Sequence, residues 1–249
     1  MTFKGMTFKD KTFRDRQDAG RQLAERLMKY ANADDVTVLG IPRGGVPLAY
    51  EVAAALHARL DIFLSGKLGV PGQEELAFGA VAAGDGRLLD REIIRAAGIS
   101  AAQIEQITEA TRAKLEERAR LYRGGRPPLS IIGRTVILID DGIATGASTY
   151  AAIQALRQMQ PKKLIVAAPV APNSTYNWLR MEADELVVPR IPEHFYAVGQ
   201  FYEHFSQATD EEVIMLLRSA ERFDTAKAAQ PGGPKAGAAN AVGTAATHK

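Results

Sequence analysis

The chain has no cysteine among its 249 residues. That removes disulfides, thiolate metal sites and a cysteine nucleophile together, and it fits a reducing compartment. Long hydrophobic runs are missing too. The longest, around Leu164 to Ala171, falls far short of the roughly 20 residues that span a bilayer. The first residues are polar and basic and carry no apolar core of a signal peptide. Charge of one sign is absent as well: the formal net charge is +2, which gives no bulk attraction to nucleic acid and makes any phosphate affinity a local matter. His194 and His204 have no convincing metal-ligand spacing. No lysine follows a glycine loop in the G-x-x-x-x-G-K-[ST] order, which argues against a Walker-type P-loop. The expectation is a soluble cytoplasmic protein with no membrane or nucleic-acid partner.

What is present is a hydrophobic content of 46%, enough to bury a full core in one α/β domain with an excursion or a small appendage. The most informative stretch reads TVILIDDGIATGAST, Thr135 to Thr149. Val136 to Ile139 form a continuous apolar, β-branched run, the pattern of a strand buried on both faces of a parallel sheet. Asp140 and Asp141 stand at its end. Gly142, Ile143, Ala144, Thr145, Gly146, Ala147, Ser148 and Thr149 follow, and Ala151 to Met159 read as a helix stopped by Pro161. A glycine loop entering a helix can wrap a phosphate, because the backbone approaches closely and the first free N–H groups point at the anion. Ionised aspartates only accept hydrogen bonds. Beside a phosphate they suit the vicinal hydroxyls of a ribose, and they can also draw in a hydrated Mg²⁺ that bridges to phosphate oxygens. The inferred ligand is a phosphorylated sugar.

The strand followed by DDGIATGAST resembles the phosphoribosyl pyrophosphate (PRPP) binding motif of the type I phosphoribosyltransferases. By that resemblance Asp140 and Asp141 hold the ribose hydroxyls, and Ala144 to Thr149 cradle the 5′-phosphate. The alternative for the same residues is a buried strand, an acidic turn and a helix cap.

A second unit of the same kind lies upstream. Val36 to Ile41 read as a strand, Pro42, Arg43, Gly44 and Gly45 as a loop, and Pro47, Leu48, Val52 and Leu56 as the start of a helix. One fixed cation between glycines can offer a guanidinium and backbone N–H groups to an anion, and the loop resembles the family's pyrophosphate-binding loop; alone it is equally a tight turn. Asp61 to Ser65 read as a further strand leading to Lys67, at the end where open α/β sheets bind ligands. Lys67 is therefore a candidate for pyrophosphate, or an ordinary solvated lysine. Ala77 to Ala83 and Arg87 to Leu89 form a hairpin through Gly84-Asp85-Gly86. The family carries a mobile loop here that closes over the reacting centre, with Glu74 and Glu75 as its acidic candidates or as plain solvated residues.

Ser100 and Gln103 fit a capping box opening a long helix to Tyr122, apolar on one face and charged on the other. It can support a lid, form a dimer surface, or simply cover the sheet. Leu164 to Val170 and Glu185 to Val188 are further strands around a helix at Thr175 to Met181. Pro192 to Phe205 is rich in aromatics, which suit base stacking, core packing or a subunit interface. Asp210 to Phe223 is a last amphipathic helix.

These elements alternate, which predicts an α/β fold: a mostly parallel sheet flanked by helices, with a helical and hairpin excursion at about 69–130 and a small C-terminal cap at about 189–224. Residues 1–17 read as an N-terminal extension, 18–224 as the domain, with a helix from about Asp18 to Ala31, and 225–249 as a disordered Ala/Gly-rich tail. The resemblance implies transfer of a phosphoribosyl group from PRPP to a nitrogen acceptor, a nucleobase, by a homodimer using Mg²⁺. Asp140, Asp141, Arg43 and Lys67 would act in catalysis, with Asp140 and Asp141 as the metal candidates. A regulatory protein that binds PRPP without turnover is the other reading. Family members acting on 6-oxopurines carry an Asp where this chain has Ala144, so a hypoxanthine or guanine acceptor is in doubt and no general base can be named.

Overall fold

A computed structural model describes residues 12–82 and 86–228. Its centre is a five-stranded, all-parallel sheet in the order β2-β1-β6-β7-β8. The strands are β1 (Val36–Gly40), β2 (Arg59–Ile62), β6 (Thr135–Ile139), β7 (Lys163–Ala167) and β8 (Glu185–Val187). Every residue of β1 and of β6 is buried, as expected for strands whose continuous apolar runs face helices on both sides. On one face α1 (Arg16–Leu27) and α2 (Gly45–Leu56) bury Leu23, Leu27, Leu48 and Val52 against Val38, Ile137 and Ile165. On the other, α5 (Ala147–Gln158) and α6 (Asn173–Leu179) bury Ile153, Leu156 and Leu179 against Val136, Leu138 and Val166.

The excursion between β2 and β6 builds a second sheet, antiparallel, of β3 (Ser65–Val70), β4 (Gln73–Ala82) and β5 (Arg87–Leu89). The short α3 (Arg91–Ala96) and the long α4 (Ala101–Arg123) follow it. The capping box of α4 forms with Ser100 and Gln103 as its spacing requires, and Leu115, Ala119 and Tyr122 pack with Leu68, Phe78 and Val81. α7 (Asp210–Ala228) closes this third cluster through Val213 and Leu217.

Several boundaries differ from the sequence reading, among them the strand expected at Asp61 to Ser65, which is β2 ending at Ile62 and then β3 from Ser65. Residues 12–17 belong to the domain: Phe13 is 1% exposed in the core, its N–H donates to Phe201 O, and α1 begins at Arg16 and ends at Leu27 in a short 3-10 turn. Asp15 caps α1 by accepting from Asp18 N–H, a signal placed three residues before the expected start. The excursion begins at Ser65 instead of about 69, because β3 starts there. α7 runs past residue 224 into the expected tail. The start of the chain up to residue 11, the hairpin turn at 83–85 and the tail at 229–249 lie outside the described residues.

Candidate active site

Strand order decides where the two glycine loops meet. β1 lies between β2 and β6: the chain passes from β1 to β2 on one side and then, across the excursion, to β6 on the other. At that reversal the loops after β1 and β6 diverge to opposite faces and leave a crevice at the carboxyl ends of the strands. The loop of Pro42, Arg43 and Gly44 follows β1, and that of Asp140 to Gly146 follows β6. The strands pair up to Gly40 and Ile139, and Ile41 N–H continues the ladder to Ile139 O at 2.8 Å. The loops therefore start level.

They touch. A Cβ placed on Gly44 would stand 1.9 Å from Asp141 Oδ2, so only glycine permits this approach. Gly45 opens α2 with its N–H on Ile41 O at 2.9 Å, and the peptide between Pro42 and Arg43 is cis. The half-exposed Arg43 lies 3.7 Å from Asp210 at the start of α7, and Asp210 also accepts from Tyr122 OH at 2.6 Å. Thus the pyrophosphate-loop candidate is tied to the excursion through one carboxylate.

Each aspartate has one carboxylate oxygen bound internally. Asp140 Oδ1 accepts Asp141 N–H at 2.9 Å, while Asp141 Oδ2 accepts Arg16 Nε–H at 2.8 Å and pairs with Arg16 Nη2 at the same distance. Burial, and then the adjacent Asp141 carboxylate, raise the pKa of Asp140 above the ordinary range for aspartate. Tyr202 OH donates to Asp141 O at 2.5 Å, and burial foremost pushes the Tyr202 phenol up. Sequence reading misses Arg16 and Tyr202: Arg16 falls in the expected extension, and Tyr202 is one aromatic among several. The Asp-x-x-Asp cap at Asp15 is the available signal for the helix that carries Arg16.

Downstream, Gly142 sits against Val198 of the cap. Ile143 is buried, with its N–H on Val170 O, and Ala144 O accepts from Thr175 Oγ1 at 2.7 Å. Gly146 takes φ 79°, the left-handed region, and opens α5 without a side-chain cap. The first N–H groups of α5 have no partner within their own helix. Ala147 N–H reaches Thr145 Oγ1 at 3.4 Å. Thr145 and Ser148 are exposed, with Ala144 and Ala147, on the open side of the loop, whereas Thr149 is buried beneath it.

Lys67 is not at the carboxyl edge of the five-stranded sheet. It lies on β3 of the second sheet, beside a cavity of about 540 Å³ shared with Glu74 and with Gln103 and Ile107 of α4. β2 stops at Ile62, and the chain turns into the hairpin sheet before reaching it. Among the aromatics, Phe13, Tyr202 and Phe205 form a chain of rings with centroids 5.5 and 4.8 Å apart, while Tyr196 is largely exposed.

Among the described residues, no group of three or more carboxylates or histidines is placed to hold a metal. The acidic pair nevertheless suits Mg²⁺ in one circumstance. With one oxygen of each carboxylate engaged, the pair can supply one or two ligands, and Mg²⁺ completes its octahedron with water and substrate phosphates.

A glycine loop carrying a cation, pressed against an acidic pair and a helix N-terminus at the reversal of a parallel sheet, defines the class of the phosphoribosyl transferases. A model of the phosphoribosyl transferase domain matches residues 13–205, and the chain belongs to that family, a family of enzymes. A protein of Thermus thermophilus, solved by crystallography, is 40% identical, with a TM-score of 0.76 over 84% of this chain and 98% of its own. Two proteins of Mycobacterium tuberculosis, strains CDC 1551 and H37Rv, each named "Putative phosphoribosyl transferase", are 43% identical over 201 residues, 81% of this chain and 45% of theirs. The chain spans about half the length of these curated relatives. No helix among the described residues is long and apolar enough to cross a membrane.

Proposed function

We propose that the chain transfers the phosphoribosyl group of PRPP to a nitrogen acceptor, a nucleobase, and releases pyrophosphate. The observation that supports this most is the contact of Gly44 with Asp141, which joins the two candidate phosphate loops around one crevice. PRPP has two phosphate ends with a ribose between them. The α5 loop suits the 5′-phosphate, the α2 loop with Arg43 suits the pyrophosphate, and the acidic pair lies between.

In this reading the bond from the anomeric carbon to pyrophosphate breaks as the acceptor nitrogen forms the new C–N bond. Positive charge develops on the ribose and negative charge on the leaving group. Asp140 and Asp141 orient the sugar hydroxyls and favour the developing cation, while the α2 N-terminus and Arg43 stabilise pyrophosphate. Mg²⁺, held by the free carboxylate oxygens together with PRPP, would neutralise phosphate charge. The position of Ala144 supplies no general base. We read the assembly as a homodimer, with the charged outer face of α4 as its candidate surface.

Calorimetric titration with PRPP, with and without Mg²⁺, followed by a pyrophosphate-release assay over a panel of nucleobases, tests the reading. Mg²⁺-dependent binding with base-stimulated release supports it. Binding without release points to a PRPP sensor, and no binding at millimolar PRPP overturns it.

A further inference from the structure

Arg16 is a charged group in this crevice with no role in the reading above. Its side chain is 12% exposed and that of Asp141 is 16% exposed. Its Nε–H donates to Asp141 Oδ2, and its Nη2 pairs with the same oxygen, each nitrogen 2.8 Å away. Nη1 donates to Ser206 O, and the guanidinium carbon stacks 4.0 Å above the Phe205 ring. A carboxylate, a carbonyl and an aromatic face thus hold one cation in place over Asp141. The oxygen it binds is the one pressed against Gly44 of the other loop.

Two adjacent carboxylates beside two phosphate loops pose an electrostatic problem, because they repel the anionic ends of the ligand they must hold. They are also an attractive site for a free divalent cation. A fixed guanidinium on Asp141 answers both. It cancels one of the two negative charges, and it occupies the oxygen a metal would otherwise take.

We propose that Arg16 is a positioning residue for Asp141: it orients that carboxylate toward the ribose hydroxyls and keeps the acidic pair closed to divalent cations until PRPP brings its own phosphates. This rests on the phosphoribosyl reading for its ligand, but its cation part concerns the free protein alone. Arg16 acts on the ribose end of the ligand. Its effect should therefore separate from that of the pyrophosphate loop.

The test compares Arg16→Gln with the unaltered protein in two measurements. Mn²⁺ binding to the free protein, followed by electron paramagnetic resonance, should tighten by about tenfold once the competing cation is gone, as for loss of a charge-assisted hydrogen bond. Ribose 5-phosphate affinity should fall by about tenfold on the same ground, with pyrophosphate affinity unchanged. A merely structural staple would lower both ligand affinities together and leave Mn²⁺ alone. That result, or unchanged Mn²⁺ and ribose 5-phosphate binding in a folded variant, overturns the proposal. Arg16→Lys retains the charge and guards against misfolding of the glutamine variant. It should exclude Mn²⁺ as the unaltered protein does, and Mn²⁺ binding at the glutamine level would equally overturn the charge-balancing role. If the unaltered protein binds neither PRPP nor ribose 5-phosphate, the phosphoribosyl reading fails, and the Mn²⁺ comparison still decides what Arg16 does.

Discussion

At the scale of single residues, Asp141 gathers partners from three distant parts of the chain, Arg16 on its carboxylate, Gly44 against the same oxygen and Tyr202 on its carbonyl, besides its neighbour Asp140. Gly44→Ala would drive a methyl group into that carboxylate. Overpacking of this kind costs about 1–3 kcal/mol, and relief would push Asp141 out of place. We expect PRPP affinity by calorimetry to drop by about tenfold or more, with a modest loss in thermal stability; wild-type affinity would show that the loop contact is incidental. Arg43 makes a long, half-exposed contact to Asp210, worth little to folding. Arg43→Ala should therefore weaken pyrophosphate and PRPP binding while sparing ribose 5-phosphate and the unfolding midpoint. Equal loss of all three ligands would remove Arg43 from the pyrophosphate loop.

At the scale of elements, the excursion is fastened to the sheet by one buried carboxylate. Asp61 at β2 accepts from Ile62 N–H, Leu129 N–H and Arg123 Nε, all at 2.8–2.9 Å, and Arg123 Nη2 reaches Ile62 O. The side chains of Arg123 and Asp61 are 11% and 8% exposed. Removing one partner of a buried pair leaves an uncompensated charge and costs about 3–5 kcal/mol. Urea unfolding of Asp61→Ala should show a loss of that size, and a loss under about 1 kcal/mol, the level of an exposed pair, would mean that Arg123 finds solvent. The elements themselves are mostly legible in the sequence. β1 and β6 announce themselves as apolar runs, α4 by its Ser100–Gln103 box, and the β4–β5 hairpin by the Gly84-Asp85-Gly86 sequence between its strands. Lys67 is misplaced by sequence reading because a strand's apolar pattern does not say which sheet it joins. A break of two residues after Ile62 moves the chain from one sheet to the other.

At the scale of the whole molecule, acid should loosen the amino edge of the five-stranded sheet. Burial pushes the Glu185 pKa up, but hydrogen bonds from Lys29, Tyr30 and Lys163 outweigh it and bring it from 4.5 to about 2. A carboxylate depressed on folding stabilises above its unfolded value, and that contribution is lost as pH falls through the folded one. Stability followed by urea midpoint should thus decline between about pH 4.5 and 2, and Glu185→Gln should flatten part of that decline; an identical slope in the variant would assign the acid sensitivity elsewhere.

The sequence by itself determined the alternating α/β pattern, the buried central strands and the two glycine loops, because these are written in local periodicity and in neighbours a few residues apart. It could also show an acidic pair beside a phosphate loop, through the order of residues 140–149 alone. Only the tertiary structure decided that the loops meet, since that depends on the strand order β2-β1-β6 and on a glycine 97 positions away from Asp141 in the chain. It also decided that Arg16, 125 positions away, completes the pair. Side chains that converge from distant segments leave no periodic trace, because their proximity follows from the packing of whole elements and not from the residues between them.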